Sequence, residues 1–136
     1  MALIHFDNEN FDDLTKKGTV VVDFFATWCG PCKMLSPIIE ELGESLDDIT
    51  FIKIDVDKHE DLARRFGVMS IPTLVFFKDG KEVKKHIGFI SKNDLKGTIE
   101  KMMWTSFRRH HKKDYYFNKK SRANEVSSSR PLIFIM

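Results

Sequence analysis

The sequence predicts an α/β fold, a central mixed β-sheet flanked by helices on both faces. Three observations carry that reading. Strand-like and helix-like segments alternate through residues 1–103. Two of the strands, "TVVVDFFA" and "ITFIKIDV", are apolar at most positions on both faces, the pattern of strands buried on both sides. The last two, "TLVFF" and "KEVKKHIGF", flank "KDG" and so form an antiparallel hairpin with Gly80 in the turn.

The elements follow in order. "ALIHF" is a short strand. "ENFDDLTKK" has helical spacing through Phe11 and Leu14 and is ended by Gly18. After "TVVVDFFA", a helix runs from Pro31 to about Leu46, with Met34, Leu35, Ile38, Ile39 and Leu42 at helical spacing. Pro37 inside it removes an amide and predicts a kink rather than a break. "ITFIKIDV" leads to "DKHE", read as a capping box with Asp57 as N-cap and Glu60 at N3, for a helix through Phe66. After the hairpin, "SKND" opens a last helix, capped by Ser91, whose core face is Leu95, Ile99 and Met102. The order is βαβαβαββα. Parallel βαβ units come first, then the antiparallel hairpin, which makes the sheet mixed.

The 136 residues suit one domain with a core of its own, and two cysteines are too few for a disulfide-stapled secreted scaffold. "MALIHFDNENF" has neither the basic start nor the apolar run of a signal peptide, and no stretch approaches a membrane span. A cytoplasmic protein without membrane association is expected. The net charge of +2 conceals a division. Residues 1–103 hold 14 basic against 18 acidic side chains; residues 104–136 hold 8 against 2. A mildly acidic domain over 1–104 therefore precedes a basic extension over 105–136 that lacks any sustained period and is expected to be disordered. A read-through artefact, a solvated extension without a role and an arm that binds nucleic acid or an anionic surface all fit it; nucleic acid is not expected as a partner of the protein.

Both cysteines fall in "WCGPC". With a helix starting near Cys29, its first amides point at that sulfur and favour a thiolate. Cys32, three residues on, shares the helical face and is within reach of a disulfide. Gly30 permits close approach of the turn, and Pro31 gives up an amide that has no intrahelical partner. A thiol whose pKa falls from about 8.5 to about 7, as such motifs allow, gains about 16-fold in thiolate at pH 7. It loses about fivefold in intrinsic nucleophilicity, so the attack rate rises only about threefold. The larger benefit is a good leaving group beside a second thiol at high effective concentration. Two plain core cysteines would need neither Gly-Pro between them nor a helix start beneath them. A zinc site needs two more ligands, and His5, His59, His86, His110 and His111 show no spacing that completes one.

Asp23 falls in the middle of "VVVDFF", where an unpaired carboxylate is costly and its pKa should rise. It reads as a proton acceptor for Cys32. Lys53, in "FIKID", either pairs with it from the neighbouring strand or faces an edge and is solvated. "SIPT" places Pro72 just before a strand, in an ordinary turn or a cis bond.

Together "VVDFFATWCGPCKMLSP", "KIDVD", "FGVMSIPTLVFFKDGK" and "GFISKNDL" resemble the thioredoxin family, in order and spacing across residues 1–103. The resemblance implies the thioredoxin fold and a protein dithiol–disulfide oxidoreductase without a bound cofactor. It implies that Cys29 attacks, Cys32 resolves, and Asp23 takes the Cys32 proton through water with Lys53 as its charge neighbour. It implies that Gly30 and Pro31 tune the pair, that Pro72 is cis against the disulfide, and that the Ile71 backbone pairs with an extended substrate. It implies further that Trp28, Ile71, Pro72 and Gly88 form the apolar surface around Cys29; taken alone, Trp28 reads equally as a core aromatic and Gly88 as a strand bulge. The implied partners are disulfide-containing proteins and a NADPH-dependent flavoprotein, thioredoxin reductase, meeting a monomer. An oxidase or isomerase of the same fold and a non-catalytic binding module are the alternatives. Phe25 departs from the family pattern, standing where many members carry a second tryptophan, and residues 105–136 have no family counterpart.

Overall fold

The computed structural model describes residues 2–104, and the first compact unit runs Met1–Ile99. The expected disordered extension over 105–136 lies outside the described residues. Five strands form one sheet: β1 (Ala2–His5), β2 (Thr19–Phe25), β3 (Ile49–Asp55), β4 (Thr73–Lys78) and β5 (Lys81–Ile87). Their spatial order is β1-β3-β2-β4-β5. β3 runs parallel to β1 and β2, whereas β4 runs antiparallel to β2 and β5. The helices are α1 (Phe11–Thr15), α2 (Gly30–Ser45), α3 (Glu60–Arg65) and α4, over 92–104. This is the mixed sheet and the element order that the sequence predicts.

Because successive side chains on a strand point to opposite faces, β2 and β3 each feed two cores. Val20, Val22 and Phe24 join Ile52, Ile54, Val75 and Phe77 on one face, beneath Phe11 of α1 and Leu62 of α3. The aromatic contacts here are edge-on or tilted, as between Phe11 and Phe77 at 5.7 Å and Phe66 and Phe77 at 5.5 Å, the arrangement that ring quadrupoles favour. Val21, Phe51, Leu74 and Phe76 occupy the other face and are fully buried. α2 covers that face through Leu35, Ile39 and Leu42, with Gly43 against Phe51 and Leu3. α4 lies beside α2, where Lys92 pairs with Glu41 at 3.0 Å, and it buries Leu95 and Ile99.

Local chemistry sets the boundaries. Asn10 caps α1 by accepting from the Asp13 amide at 3.1 Å; the helix ends at Thr15, short of the stretch expected to run to Gly18. The β4–β5 turn places Asp79 and Gly80 at φ 48° and 85°, the pair of positive values that a two-residue hairpin turn requires. Asp79 and Gly18 exchange two hydrogen bonds of 2.9 Å, so the two turns at this end of the sheet brace each other. The Asp94 amide donates to Ser91 Oγ at 3.2 Å, the expected cap of α4. α2 continues through Pro37. β5 is an edge strand, exposed along nearly all its length and rich in lysine.

One expectation is corrected. Asp57 does not cap α3. The N-cap is His59, without a side-chain cap bond, and the helix stops at Arg65 rather than Phe66. Asp55 organises this corner instead: its carboxylate accepts the Asp57 amide at 2.9 Å and its carbonyl accepts from Lys58 and His59. The Asp57 side chain is thereby released for another contact.

Candidate active site

Cys29 is the N-cap of α2, with extended backbone at φ −89° and ψ 115°. Its Sγ accepts the Cys32 amide at 3.2 Å, so the sulfur takes the place of a capping oxygen and sits at the positive end of a 16-residue helix. Cys29 and Cys32 form a disulfide with Cα atoms 5.3 Å apart. The two residues are 5% and 4% exposed, so burial does not distinguish them; the helix-end position does. Pro31 lies in the first turn, where its missing amide costs nothing. The close approach expected at Gly30 is not there: its φ is not positive, and a Cβ would meet nothing within 4 Å.

The sheet topology brings a second segment to the pair. Since β4 is antiparallel to β2, Thr73 registers with Phe24, and the loop before β4 arrives beside the loop after β2. The Ile71–Pro72 bond is cis, and the Ile71 carbonyl oxygen is 3.8 Å from Cys29 Sγ. Ile71, Phe25 and Val56 pack against the cluster of Ala26, Cys29 and Cys32. Gly88, at φ 94°, donates its amide to the Pro72 carbonyl at 2.8 Å. Glycine is suited there by its backbone angle, because a Cβ would have open space. Trp28 is 70% exposed, which rules out a core aromatic, and its indole Nε1 donates to Asp57 Oδ2 at 2.8 Å.

Two buried ionisable residues, Asp23 and Lys53, stand in register on β2 and β3, and Lys53 reaches α2. Asp23 is 1% exposed, and among the described residues neither of its carboxylate oxygens has a hydrogen-bond partner. Desolvation pushes its pKa up to about 7, against a smaller downward pull from the Lys53 charge. Lys53 registers with Asp23 across β2 and β3 and is 8% exposed, so the solvated-edge alternative for it fails. Yet its ammonium makes no ion pair with Asp23. It donates to Ser36 Oγ of α2 and lies 4.8 Å from the centre of the Phe25 ring.

Of the ten residues singled out from the sequence, Cys29, Cys32 and Ile71 are in contact and Gly88 bonds to Pro72; Gly30 and Pro31 open α2 between the cysteines, Trp28 precedes it, and Asp23 and Lys53 stand in register across β2 and β3. Two polar neighbours were missed. Asp57 was hidden by its plausible capping role. Ser36 carried one signal, a hydroxyl next to the buried positions Leu35 and Ile39 of α2, but its partner is 17 residues away. Among the described residues no helix is long and apolar enough to cross a membrane.

The family model Thioredoxin matches residues 2–101. The chain is 49% identical over 102 residues to the thioredoxin of Staphylococcus saprophyticus, covering 74% of this chain and 98% of that one. It is 50% identical over 93 residues to the thioredoxin of Chlamydia muridarum, covering 68% and 91%. Among solved structures, a mutant thioredoxin from Halobacterium salinarum superposes with a TM-score of 0.68 at 39% identity, over 74% of this chain and 89% of that one.

Proposed function

The chain belongs to the thioredoxin family and is a protein dithiol–disulfide oxidoreductase; from that premise we propose the roles of its residues. The observation that carries the assignment is Cys29 Sγ, capping α2 and bonded to Cys32, with the Ile71 carbonyl beside it.

In the reduced protein the Cys29 thiolate attacks one sulfur of a substrate disulfide. A Cys29–substrate bond forms, the substrate S–S bond breaks, and the second substrate sulfur leaves as a thiolate. Cys32 then gives its proton to Asp23 and attacks Cys29 Sγ. The Cys29–Cys32 bond forms and the first substrate sulfur departs as a thiolate. Two electrons have passed to the substrate. The pair is reset by two electrons from NADPH through a flavoprotein, thioredoxin reductase; no cofactor resides on this chain.

Each remaining role has a local support. An Asp23 whose proton affinity is matched to neutral pH can accept and return a proton there. Lys53 moderates that affinity through its charge. Gly30 and Pro31 start the helix whose dipole favours the Cys29 thiolate. The exposed Trp28, with Ile71, Pro72 and Gly88, gives an extended substrate an apolar platform and the Ile71 backbone to pair with. The working protein is a cytoplasmic monomer, its catalytic domain is residues 1–104, and residues 105–136 are an accessory basic extension.

The test is reduction of insulin disulfides with NADPH and a thioredoxin reductase. Cys29→Ser is expected to abolish turnover, and Cys32→Ser to accumulate a mixed disulfide through Cys29. A Cys32→Ser protein that traps nothing reverses the attacker and resolver. A Cys29→Ser/Cys32→Ser chain that retains full cellular function would point to the binding-module alternative.

A further inference from the structure

A buried carboxylate with no hydrogen-bond partner among the described residues and a buried lysine stand opposite each other on adjacent strands, and they do not pair. An opposite charge at close range is the strongest attraction a buried carboxylate can find, so something must hold the ammonium elsewhere. The candidates can be enumerated. On this face the charged group acting on Asp23 is Lys53 of β3. β4 offers Leu74 in register. α2 offers Ser36 and the disulfide-bonded Cys32, and the buried residues of α4 are the apolar Leu95 and Ile99. Among the described residues the one hydrogen bond that Lys53 makes with its ammonium is to Ser36 Oγ.

We infer that Ser36 is a positioning residue for proton transfer at Asp23: its hydroxyl anchors the Lys53 ammonium on α2 and so keeps it from closing onto the carboxylate. The inference rests on the reading of Asp23 as proton acceptor. It adds a member of the machinery that touches neither substrate nor sulfur. A hydroxyl suits the task because it satisfies the ammonium without competing for its charge. Without it the ammonium has the Phe25 ring and, across the strands, Asp23. The second is an anion and should win. A carboxylate so paired is a much weaker base, and the Cys32 proton would have a poorer acceptor.

The experiment follows the Asp23 carboxyl itself by carbon NMR in the oxidised full-length protein, titrated from about pH 4 to about pH 9. Ser36→Ala is expected to lower the midpoint by about one unit or more, a tenfold change in the ionised-to-protonated ratio. Ser36→Thr, which keeps the hydroxyl, should retain the wild-type midpoint. In a Lys53→Met background Ser36→Ala should shift nothing, because the effect travels through the ammonium. An unmoved midpoint in Ser36→Ala, or an equal shift in the Lys53→Met background, overturns the inference. In parallel, the rate of mixed-disulfide resolution is measured against pH in wild type and Ser36→Ala. A profile that moves with the carboxyl midpoint supports both readings. A midpoint that moves while the profile stays fixed upholds the Ser36 anchor and refutes Asp23 as the acceptor.

Discussion

Replacing Asp23 with Asn should change the pH dependence of stability more than any other single substitution here. The folded protein holds the Asp23 proton up to about pH 7, whereas the unfolded chain releases it near the ordinary value of 3.8. Below that lower value both states are protonated and Asp and Asn differ little. Between the two values the folded state binds more protons than the unfolded one, so stability falls as pH rises, by about 1.4 kcal/mol per unit. Over roughly three units the penalty reaches about 4 kcal/mol and then levels off above neutrality. Domains of this kind have a net stability of about 5–15 kcal/mol, so the charge on one side chain offsets a sizeable part of it. Asp23→Asn escapes the penalty. The assay is urea unfolding of the oxidised full chain at fixed ionic strength, since oxidation removes the coupled titration of Cys32. The variant should match wild type near pH 4 and exceed it by several kcal/mol near pH 8. Other carboxylates contribute equally to both chains and cancel in the difference. Parallel curves across that range would refute the assignment of a desolvated, unpartnered carboxylate. A variant less stable at every pH would mean that Asp23 is structurally paired after all.

Limited iodoacetamide treatment of the reduced protein near neutral pH should label Cys29 before Cys32, because the helix-end amides favour the Cys29 thiolate; peptide mass mapping reads the order. Asp57→Ala removes the hydrogen bond that orients the Trp28 indole, so KM for a protein disulfide should rise about two- to fivefold, the equivalent of the roughly 0.5–1 kcal/mol of an exposed hydrogen bond. Its melting temperature should hardly move, because Asp57 does not cap α3. Phe24→Ala, at the fully buried centre of the face under α1 and α3, should cost about 3–5 kcal/mol in urea unfolding. Truncation after Trp104 should leave insulin reduction and melting temperature unchanged while lowering the pI; loss of either would place part of the domain beyond residue 104.

What could be read from the sequence was whatever is decided locally. "VVVDFF" and "FIKID" announce interior strands by composition, and "WCGPC" above a helical period announces a capped thiol. "KDG" fixes a hairpin because its backbone angles admit few residues. Partnerships across the sheet were not legible. Whether Lys53 is solvated depends on β3 lying between β1 and β2, a fact of strand order that no window around residue 53 contains. The capping role given to Asp57 obeyed a sound local rule, but Asp55 two residues earlier already satisfies those amides, and the indole of Trp28 is a better use for the free carboxylate. Gly30 shows the converse: a residue prominent in the motif, with no steric demand at its position in the fold.

The antiparallel direction of β4 has a temporal meaning as well. The loop carrying Ile71 meets Cys29 only because β4 runs back along β2, and Gly88, hydrogen-bonded to Pro72, comes later still. On a ribosome the two thiols are therefore synthesised about sixty residues ahead of Gly88, several seconds at ordinary elongation rates of about 5–20 residues per second. During that interval the nascent chain holds both cysteines but not the glycine whose amide bonds to Pro72. Only the arrival of the hairpin lets the contacts around Cys29 be completed.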